Sequence, residues 1–221
     1  MLGLLTSNPL AFVVYLLALL IAITVHEFSH AKVADYLGDP TPRLQGRLTL
    51  NPVVHIDPLG LIMLFLVGFG WGKPVMFDPF NLRNPRKDAA LISIAGPGSN
   101  FIVALLLSLL LKLFIYLGQP FLVTIGYTFL IPIIFLNVVL GVFNFLPIHP
   151  LDGFKIVGGF LSEQQAHEWY RLERFGLIFL IVLIFPLGQG NMLSFVIWPI
   201  INFILNLMLP GGLAPAGILG N

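Results

Sequence analysis

Three long stretches of this chain carry no charged side chain, and they constrain its fold more than any other feature. They cover residues 1–25, 113–151 and 175–221. A helix needs about 20 mostly apolar residues to cross the hydrocarbon core of a bilayer. Only 10% of the 221 residues are charged, against about 25% in an ordinary soluble domain. The chain is therefore predicted to be an all-α polytopic membrane protein.

The apolar stretches can be divided into spans by length. Three spans are predicted at residues 9–34, 89–111 and about 121–145. Residues 186–191 divide the last stretch into two more, which makes about five transmembrane helices. The apolar run at 59–69 is too short and too rich in glycine to cross as a normal helix, and turn signals flank it. A re-entrant loop or β-hairpin is therefore predicted near residues 47–78.

Charge and composition narrow the class of protein further. Ten of the eleven Lys and Arg side chains would lie on one side of the membrane, with only Lys112 opposite. The positive-inside rule places that shared side in the cytoplasm. A net charge of +1 leaves no basic surplus for binding nucleic acid. Because the chain has no cysteine, any transition-metal site must use His, Asp or Glu.

Two histidines and a glutamate interrupt the apolar character of the first span. His26 and His30 lie four residues apart and therefore share one face of a helix, as two ligands of one metal ion would. Glu27 follows the first of them and could serve as a base. Such patterns also arise by chance, and a buried histidine is often only a hydrogen-bonded core residue. Ionisable groups within a membrane span are costly, however, and usually functional, which favours a metal site.

Asp152 is the best candidate for a third ligand. It follows the third predicted span, stands among prolines that stop the helix, and falls at the same membrane face as His26 and His30. A carboxylate oxygen suits zinc as the third protein ligand of a hydrolytic site. The alternative is an Asp-Gly turn whose carboxylate only caps its own backbone.

Together these residues resemble the signature of a known family. The motif His26-Glu27-Phe28-Ser29-His30 is followed much later by Asn144, Pro147, Asp152 and Gly153. This order is similar to that of the site-2 protease family of intramembrane zinc metalloproteases, which joins His-Glu-x-x-His to Asn-x-x-Pro-x-x-x-x-Asp-Gly. The resemblance implies one zinc ion per chain on His26, His30 and Asp152. It also implies that Glu27 is the general base and that Asn144 donates to the developing oxyanion.

The sequence leaves two possible roles open for each of several other polar residues. Asn144 could simply cap a helix end, and Asn100 could serve helix packing rather than catalysis. His55 could lie beside the site or be a bonded loop histidine. His149 stands close to Asp152 and could compete as a ligand, although the family pattern does not use it.

The sequence thus predicts a single domain and one leading activity. Residues 1–221 are predicted to form a single integral-membrane metalloprotease domain, with a catalytic core at about 9–155 and a C-terminal helical hairpin at about 174–210. The expected activity is cleavage of a transmembrane or membrane-associated segment of a substrate protein within the lipid bilayer, with the active site toward the cytoplasm. The alternative is a metal transporter or a non-proteolytic, metal-stabilised scaffold. The oligomeric state is not predicted.

Overall fold

The computed structural model describes residues 2–67, 70–187 and 190–210, and most of these are helical. The end of the predicted domain, residues 211–221, lies outside the described part. The helices are α1 (Leu2–Ser7), α2 (Pro9–Tyr36), α3 (Thr41–Leu44), α4 (Pro58–Val67), α5 (Pro85–Leu117), α6 (Pro120–Ile125), α7 (Ile131–Asn144), α8 (Asp152–Phe160), α9 (Glu163–Tyr170), α10 (Glu173–Ile184) and α11 (Met192–Met208). Short elements complete the chain: 3₁₀ turns at Pro52–His55 and Pro79–Asn81, a π-helical turn at Gly126–Leu130, and strands β1 (Pro186–Leu187) and β2 (Gly190–Asn191), which pair antiparallel.

Three helices in the described residues are long and apolar enough to cross a membrane. They are α2 with 28 residues, α5 with 33, and the continuous helix Pro120–Asn144 with 25, which joins α6 and α7 through the π-helical turn. This confirms the helical, multi-pass character of the chain. The helix α5 is longer than its predicted span of 89–111, because Arg86, Lys87 and Asp88 already belong to its first turns. Counting apolar residues ends a span at its first charge, whereas the helix continues beyond the lipid.

Local sequence explains where two of the long helices, α2 and α5, begin. Asn8 caps α2, since its side chain accepts a hydrogen bond from the Ala11 N–H, and Pro9 occupies the first helical position. Asn84 and Pro85 start α5 in the same order. At the other end α5 stops at Gly118, whose φ of 62° is readily adopted only by glycine.

The C-terminal helices are shorter than the spans predicted for them. The 12 residues of α10 extend about 18 Å and the 17 residues of α11 about 26 Å, against a hydrocarbon core of about 30 Å. The two helices contact each other, and the short strands β1 and β2 lie between them in sequence. The fold thus contains the elements of the predicted hairpin, while the count of five crossings stays a prediction.

The region at 47–78 forms a loop that contains a helix. Among its described residues, 47–67 and 70–78, the β-pairing is a single antiparallel bridge between Ile56 and Gly72, so the hairpin alternative is wrong. The reason is local: the Asn51 side chain accepts a hydrogen bond from the Val53 N–H, and Pro52 then starts a 3₁₀ turn. The ten-residue α4 extends about 15 Å, half the thickness of the hydrocarbon core. That length suits a re-entrant segment, and entry into the bilayer stays a prediction.

The largest apolar cluster lies where α5, α7 and α11 meet. Its fully buried members include Ala104 and Leu111 of α5, Ile134 and Val138 of α7, and Ile201 and Leu205 of α11. Close packing of this kind sets the relative position of the spans, because interiors tolerate few voids. The cluster therefore holds α7 against α5, which also packs extensively against α2 and α8.

A glycine places α8, the helix that begins with Asp152. A Cβ atom on Gly153 would lie 2.3 Å from the carbonyl oxygens of both Phe145 and Leu146, so only glycine allows the chain to fold this closely onto the end of α7. This fold-back turns the start of α8 toward α2 and α5. The start of α8, with Asp152, thus lies close to α2, which carries His26, Glu27 and His30.

Candidate metal centre

His26 and His30 face α5 from the buried side of α2. Their exposed fractions are only 5% and 7%. The Nδ1 atom of His30 lies 2.7 Å from the Ile92 carbonyl oxygen, and that of His26 lies 2.7 Å from Oδ1 of Asn100. A backbone carbonyl only accepts hydrogen bonds, so Nδ1 of His30 must carry a proton. Its Nε2 atom is therefore the one available to a ligand or an ion.

The same reasoning settles the protonation of His26. Nδ2 of Asn100 donates to the Ala22 carbonyl oxygen at 3.0 Å. This contact identifies the nitrogen of the side-chain amide, so the atom facing His26 is the oxygen. Nδ1 of His26 is therefore the donor, and its Nε2 atom too is left for coordination.

Asp152 completes a cluster of three ligand atoms. Its Oδ2 lies 3.1 Å from Nε2 of His26 and 3.1 Å from Nε2 of His30, and the two nitrogens are 3.0 Å apart. A carboxyl group must be ionised to act as a metal ligand.

The donor set fits a metal ion. With each Nδ1 atom already donating, the two Nε2 atoms and the carboxylate oxygen direct lone pairs to one point, which a metal ion can occupy and which otherwise needs a proton. Nitrogen and oxygen ligands from two histidines and a carboxylate are those of hydrolytic zinc sites. Within the described residues, His26, His30 and Asp152 are the one group of three such side chains close enough to hold an ion.

Gly96 of α5 leaves the space in front of these nitrogens empty. A Cβ atom at this position would lie 2.3 Å from Nε2 of His30 and 2.7 Å from Nε2 of His26. It would thus contact the lone pairs that a metal ion needs.

Replacing Gly96 by Ala is expected to weaken metal binding strongly. The added methyl group must displace the imidazoles, and disturbing ligand orientation in metal sites typically costs about 10- to 100-fold in affinity. Gly98→Ala is the matched control, because a Cβ atom there meets only Ile94 of the same helix, at 4.0 Å. Competition with a chromogenic chelator measures both affinities. Equal zinc affinity in the two variants would contradict this account of Gly96.

Glu27 is held by the segment that follows α4. Its Oε2 accepts a hydrogen bond from the Val75 N–H at 3.0 Å. Its other oxygen, Oε1, lies near Gly72 and forms no hydrogen bond within the described residues. The backbone around Val75 is in turn held by Arg47, whose buried guanidinium donates to the carbonyl oxygens of Lys73 and Pro74. Burial lowers the pKa of Arg47, and the charge of Glu27 partly offsets this.

Asp39 fixes the other end of the same segment. Its fully buried carboxylate accepts hydrogen bonds from the backbone N–H of Asp78, the side-chain amide of Asn81, and both the N–H and hydroxyl of Thr41. These bonds join the turn after α2 to the stretch that leads into α5. Burial raises the pKa of Asp39, but the four hydrogen bonds lower it more, to below its usual 3.8.

Asp39→Asn is expected to destabilise the protein in a pH-dependent way. Because the folded-state pKa is lowered, the carboxylate contributes stability that is fully present above pH 3.8 and is lost as the pH falls through the folded value. The difference in stability between wild type and Asp39→Asn should be about 2 kcal/mol at neutral pH, typical of hydrogen bonds to a charged group. Thermal unfolding in detergent from pH 3 to 7 measures it. A difference that grows on acidification would refute this assignment.

The remaining residues predicted for the site lie in different surroundings. The side-chain amide of Asn144 donates to the Leu140 carbonyl of its own helix at 3.0 Å. His55 is fully buried and its Nε2 donates to the Thr49 carbonyl; its Nδ1 has no hydrogen-bond partner in the described residues. The His55 backbone is close to Gly72, which belongs to the segment that follows α4 and holds Glu27. Nδ1 of His149 lies 3.6 Å from Oε1 of Glu173, and the His149 ring packs edge-to-face against Phe154. His149 therefore lies outside the three-ligand cluster.

Fold and site together define a membrane-embedded metalloenzyme, and comparison with known proteins agrees. The chain is 39% identical over 199 residues to "Putative zinc metalloprotease YwhC" of Bacillus subtilis, covering 88% of this chain and 89% of that protein. It is 33% identical over 206 residues to "Putative zinc metalloprotease Rip2" of Mycobacterium tuberculosis, covering 87% and 76%. Identity to the zinc metalloprotease MJ0392 of Methanocaldococcus jannaschii is 27% over 162 residues, covering 73% and 38%.

No family model and no solved structure matches the chain. The similarity to YwhC and Rip2 over most of the chain nevertheless shows the family. The chain belongs to the site-2 protease family of intramembrane zinc metalloproteases. It is accordingly an enzyme of the zinc-dependent intramembrane endopeptidase type.

Proposed function

We propose that this protein cleaves a transmembrane or membrane-associated segment of a substrate protein by hydrolysis, with one zinc ion held by His26, His30 and Asp152. The observation that carries the proposal is the convergence of their three ligand atoms within 3.1 Å of one another. A zinc ion bound there would polarise the substrate carbonyl and lower the pKa of a water molecule to about 7. Zinc is proposed because two histidines and a carboxylate form a ligand set of hydrolytic zinc sites, and because the relatives YwhC and Rip2 are named putative zinc metalloproteases.

Glu27 is the proposed general base. The Val75 N–H holds Oε2 at 3.0 Å, so the carboxylate has a defined orientation and Oε1 stays available. In the reaction Glu27 takes a proton from the attacking water as the new carbon–oxygen bond forms. It then gives the proton to the amine that leaves when the peptide carbon–nitrogen bond breaks. A transporter or scaffold has no use for a base held beside the ligands, which favours the protease.

Asn144 is the proposed donor to the oxyanion. Its amide is neutral, so it can stabilise developing negative charge without adding a charge to an apolar site. The hydrogen bond that it makes to Leu140 lies within its own helix and has to be exchanged for one to the substrate. His55 is proposed to be adjacent to the site through its contact with the segment over Glu27.

The bilayer defines what the substrate must do. A helical substrate hides its carbonyl groups in backbone hydrogen bonds, so the segment has to unwind before cleavage, and residues that break helices should favour it. The proposed topology has about five crossings with α4 re-entrant. The distribution of Lys and Arg favours an active site toward the cytoplasmic side.

Reconstitution with single-span reporter proteins tests the proposed function. The protein is placed in liposomes as purified, after chelation, and after chelation followed by added zinc. We expect reporter fragments with the first and third samples and none with the second, with the cut mapped by mass spectrometry to the reporter's transmembrane or juxtamembrane segment. Equal fragment production in all three, or a cut far from the membrane, would contradict it.

A further inference from the structure

Two asparagines in the membrane spans connect His26 to a helix that provides no proposed metal ligand. Asn100 of α5 and Asn137 of α7 are both completely buried. His26 lies 2.7 Å from Asn100, whose side-chain nitrogen is 2.9 Å from Oδ1 of Asn137. An amide in an apolar interior is costly unless its polar atoms are bonded. The buried series of hydrogen bonds that runs from His26 on α2 through Asn100 to Asn137 on α7 therefore calls for a physical explanation.

The orientation of both amides follows from backbone carbonyls. Nδ2 of Asn137 donates to the Ile133 carbonyl of its own helix at 2.8 Å, so Oδ1 of Asn137 faces α5. Nδ2 of Asn100 uses its two hydrogens on that oxygen and on the Ala22 carbonyl. Both hydrogens are therefore occupied, and rotation of the Asn100 amide would bring its oxygen against two acceptors.

This fixed amide determines which nitrogen of His26 is protonated. The Asn100 oxygen can only accept, so it holds the proton of His26 on Nδ1 and leaves Nε2 for the metal. We infer that Asn137 is a positioning residue that acts through Asn100 to hold His26 in its metal-binding tautomer. The inference rests on the proposed metal centre.

The two histidines differ in how they are held. Nδ1 of His30 donates directly to the Ile92 backbone carbonyl, and no side chain is needed. His26 instead depends on two side chains from two other spans. A change at position 137 should therefore alter His26 and leave the tautomer of His30 unchanged.

Variants at position 137 separate positioning from stability. Asn137→Leu has a similar size but no acceptor for Asn100. Asn137→Asp, protonated in this apolar site, keeps an acceptor and a donor. Ser108→Ala is the control, because Ser108 is a buried residue of α5 whose hydroxyl donates to Met208 of α11 within the apolar cluster.

Zinc affinity is measured by chelator competition in detergent. Asn137→Leu is expected to bind zinc about 10- to 100-fold more weakly, the usual effect of losing a partner behind a metal ligand. Asn137→Asp should stay near wild type, and Ser108→Ala should lose thermal stability but not affinity. Wild-type affinity in Asn137→Leu, or an equal loss in Ser108→Ala, would overturn the inference.

Nitrogen NMR of histidine-labelled, metal-free protein gives a second readout. It needs no zinc and no substrate, so it separates failure of this inference from failure of the proposed function. We expect His26 of the wild type to carry its proton on Nδ1, with a through-bond coupling to Asn100. Mixed tautomers of His26, with His30 unchanged, are expected in Asn137→Leu. A wild-type His26 that carries no proton on Nδ1 would overturn the inference even if the protein binds zinc and cleaves substrate.

Discussion

Glu27→Gln is expected to abolish detectable reporter cleavage while zinc stays bound. The amide keeps the size of the side chain and can still accept a hydrogen bond from the Val75 N–H, but it cannot take a proton from water. Loss of a general base typically slows a reaction by about 10²- to 10⁴-fold. Fragment production in liposomes and zinc content by mass spectrometry measure the two effects on one preparation.

The control for this variant is Glu163→Gln. Glu163 lies in the first turn of α9 on an exposed surface, far in sequence from the ligand residues. We expect it to retain both cleavage and zinc. Substantial cleavage by Glu27→Gln would assign the proton transfer to another group, and loss of zinc from this variant would show that Glu27 supports the metal site itself.

Asp152→Asn is expected to remove zinc and, as a consequence, cleavage. The carboxylate is the one negatively charged member of the cluster, and its Oδ2 lies 3.1 Å from both imidazole nitrogens. A neutral amide oxygen is a much weaker ligand for a divalent ion. Zinc content after exposure to a mild chelator should fall from about one per chain to near zero, unlike that of Glu27→Gln.

Asp35→Asn is the matched control for the loss of a carboxylate near α2. Asp35 lies on the same helix as the histidines but pairs with the exposed Arg43. This pair lies outside the three-ligand cluster, so both zinc and activity should be kept. Retention of stoichiometric zinc by Asp152→Asn would show that a different residue completes the site.

The part of the site that sequence predicts best is local. The spacing of His26 and His30 places them on one helical face whatever the rest of the chain does, because it depends only on helix geometry. Asp152 was a prediction from its place at a span end, and the structure brings it to the histidines across 122 residues of chain. Polarity and span topology were enough for that step because the membrane restricts where such groups can lie.

The supporting residues were harder to predict because their partners are distant. Asn100 lies 74 residues from His26, and Asn137 a further 37 beyond. Asn137 forms part of no motif, yet a lone amide in an apolar span is itself a signal, since polar groups in membranes are rare and usually bonded. Gly96 belongs to no part of the predicted site, and only coordinates reveal that it lies against both Nε2 atoms.

The fold, too, has parts that depend on local sequence and could be predicted, and parts that depend on distant partners and could not. Three spans followed from the length of apolar runs alone. The form of the loop at 47–78 did not, because Asn51 and Pro52 start a 3₁₀ turn in a region where a β-hairpin was one of the two predicted forms. Its position over Glu27 depends on the buried Arg47, whose carbonyl partners lie up to 27 residues away.

Anomalous X-ray scattering from crystals of the zinc-loaded protein tests the central claim most directly. Diffraction recorded on both sides of the zinc absorption edge locates the ion independently of any assumed ligands. We expect one zinc peak per chain, bonded to Nε2 of His26, Nε2 of His30 and a carboxylate oxygen of Asp152. A peak bonded to other residues, or no peak in protein that cleaves its substrate, would contradict the account.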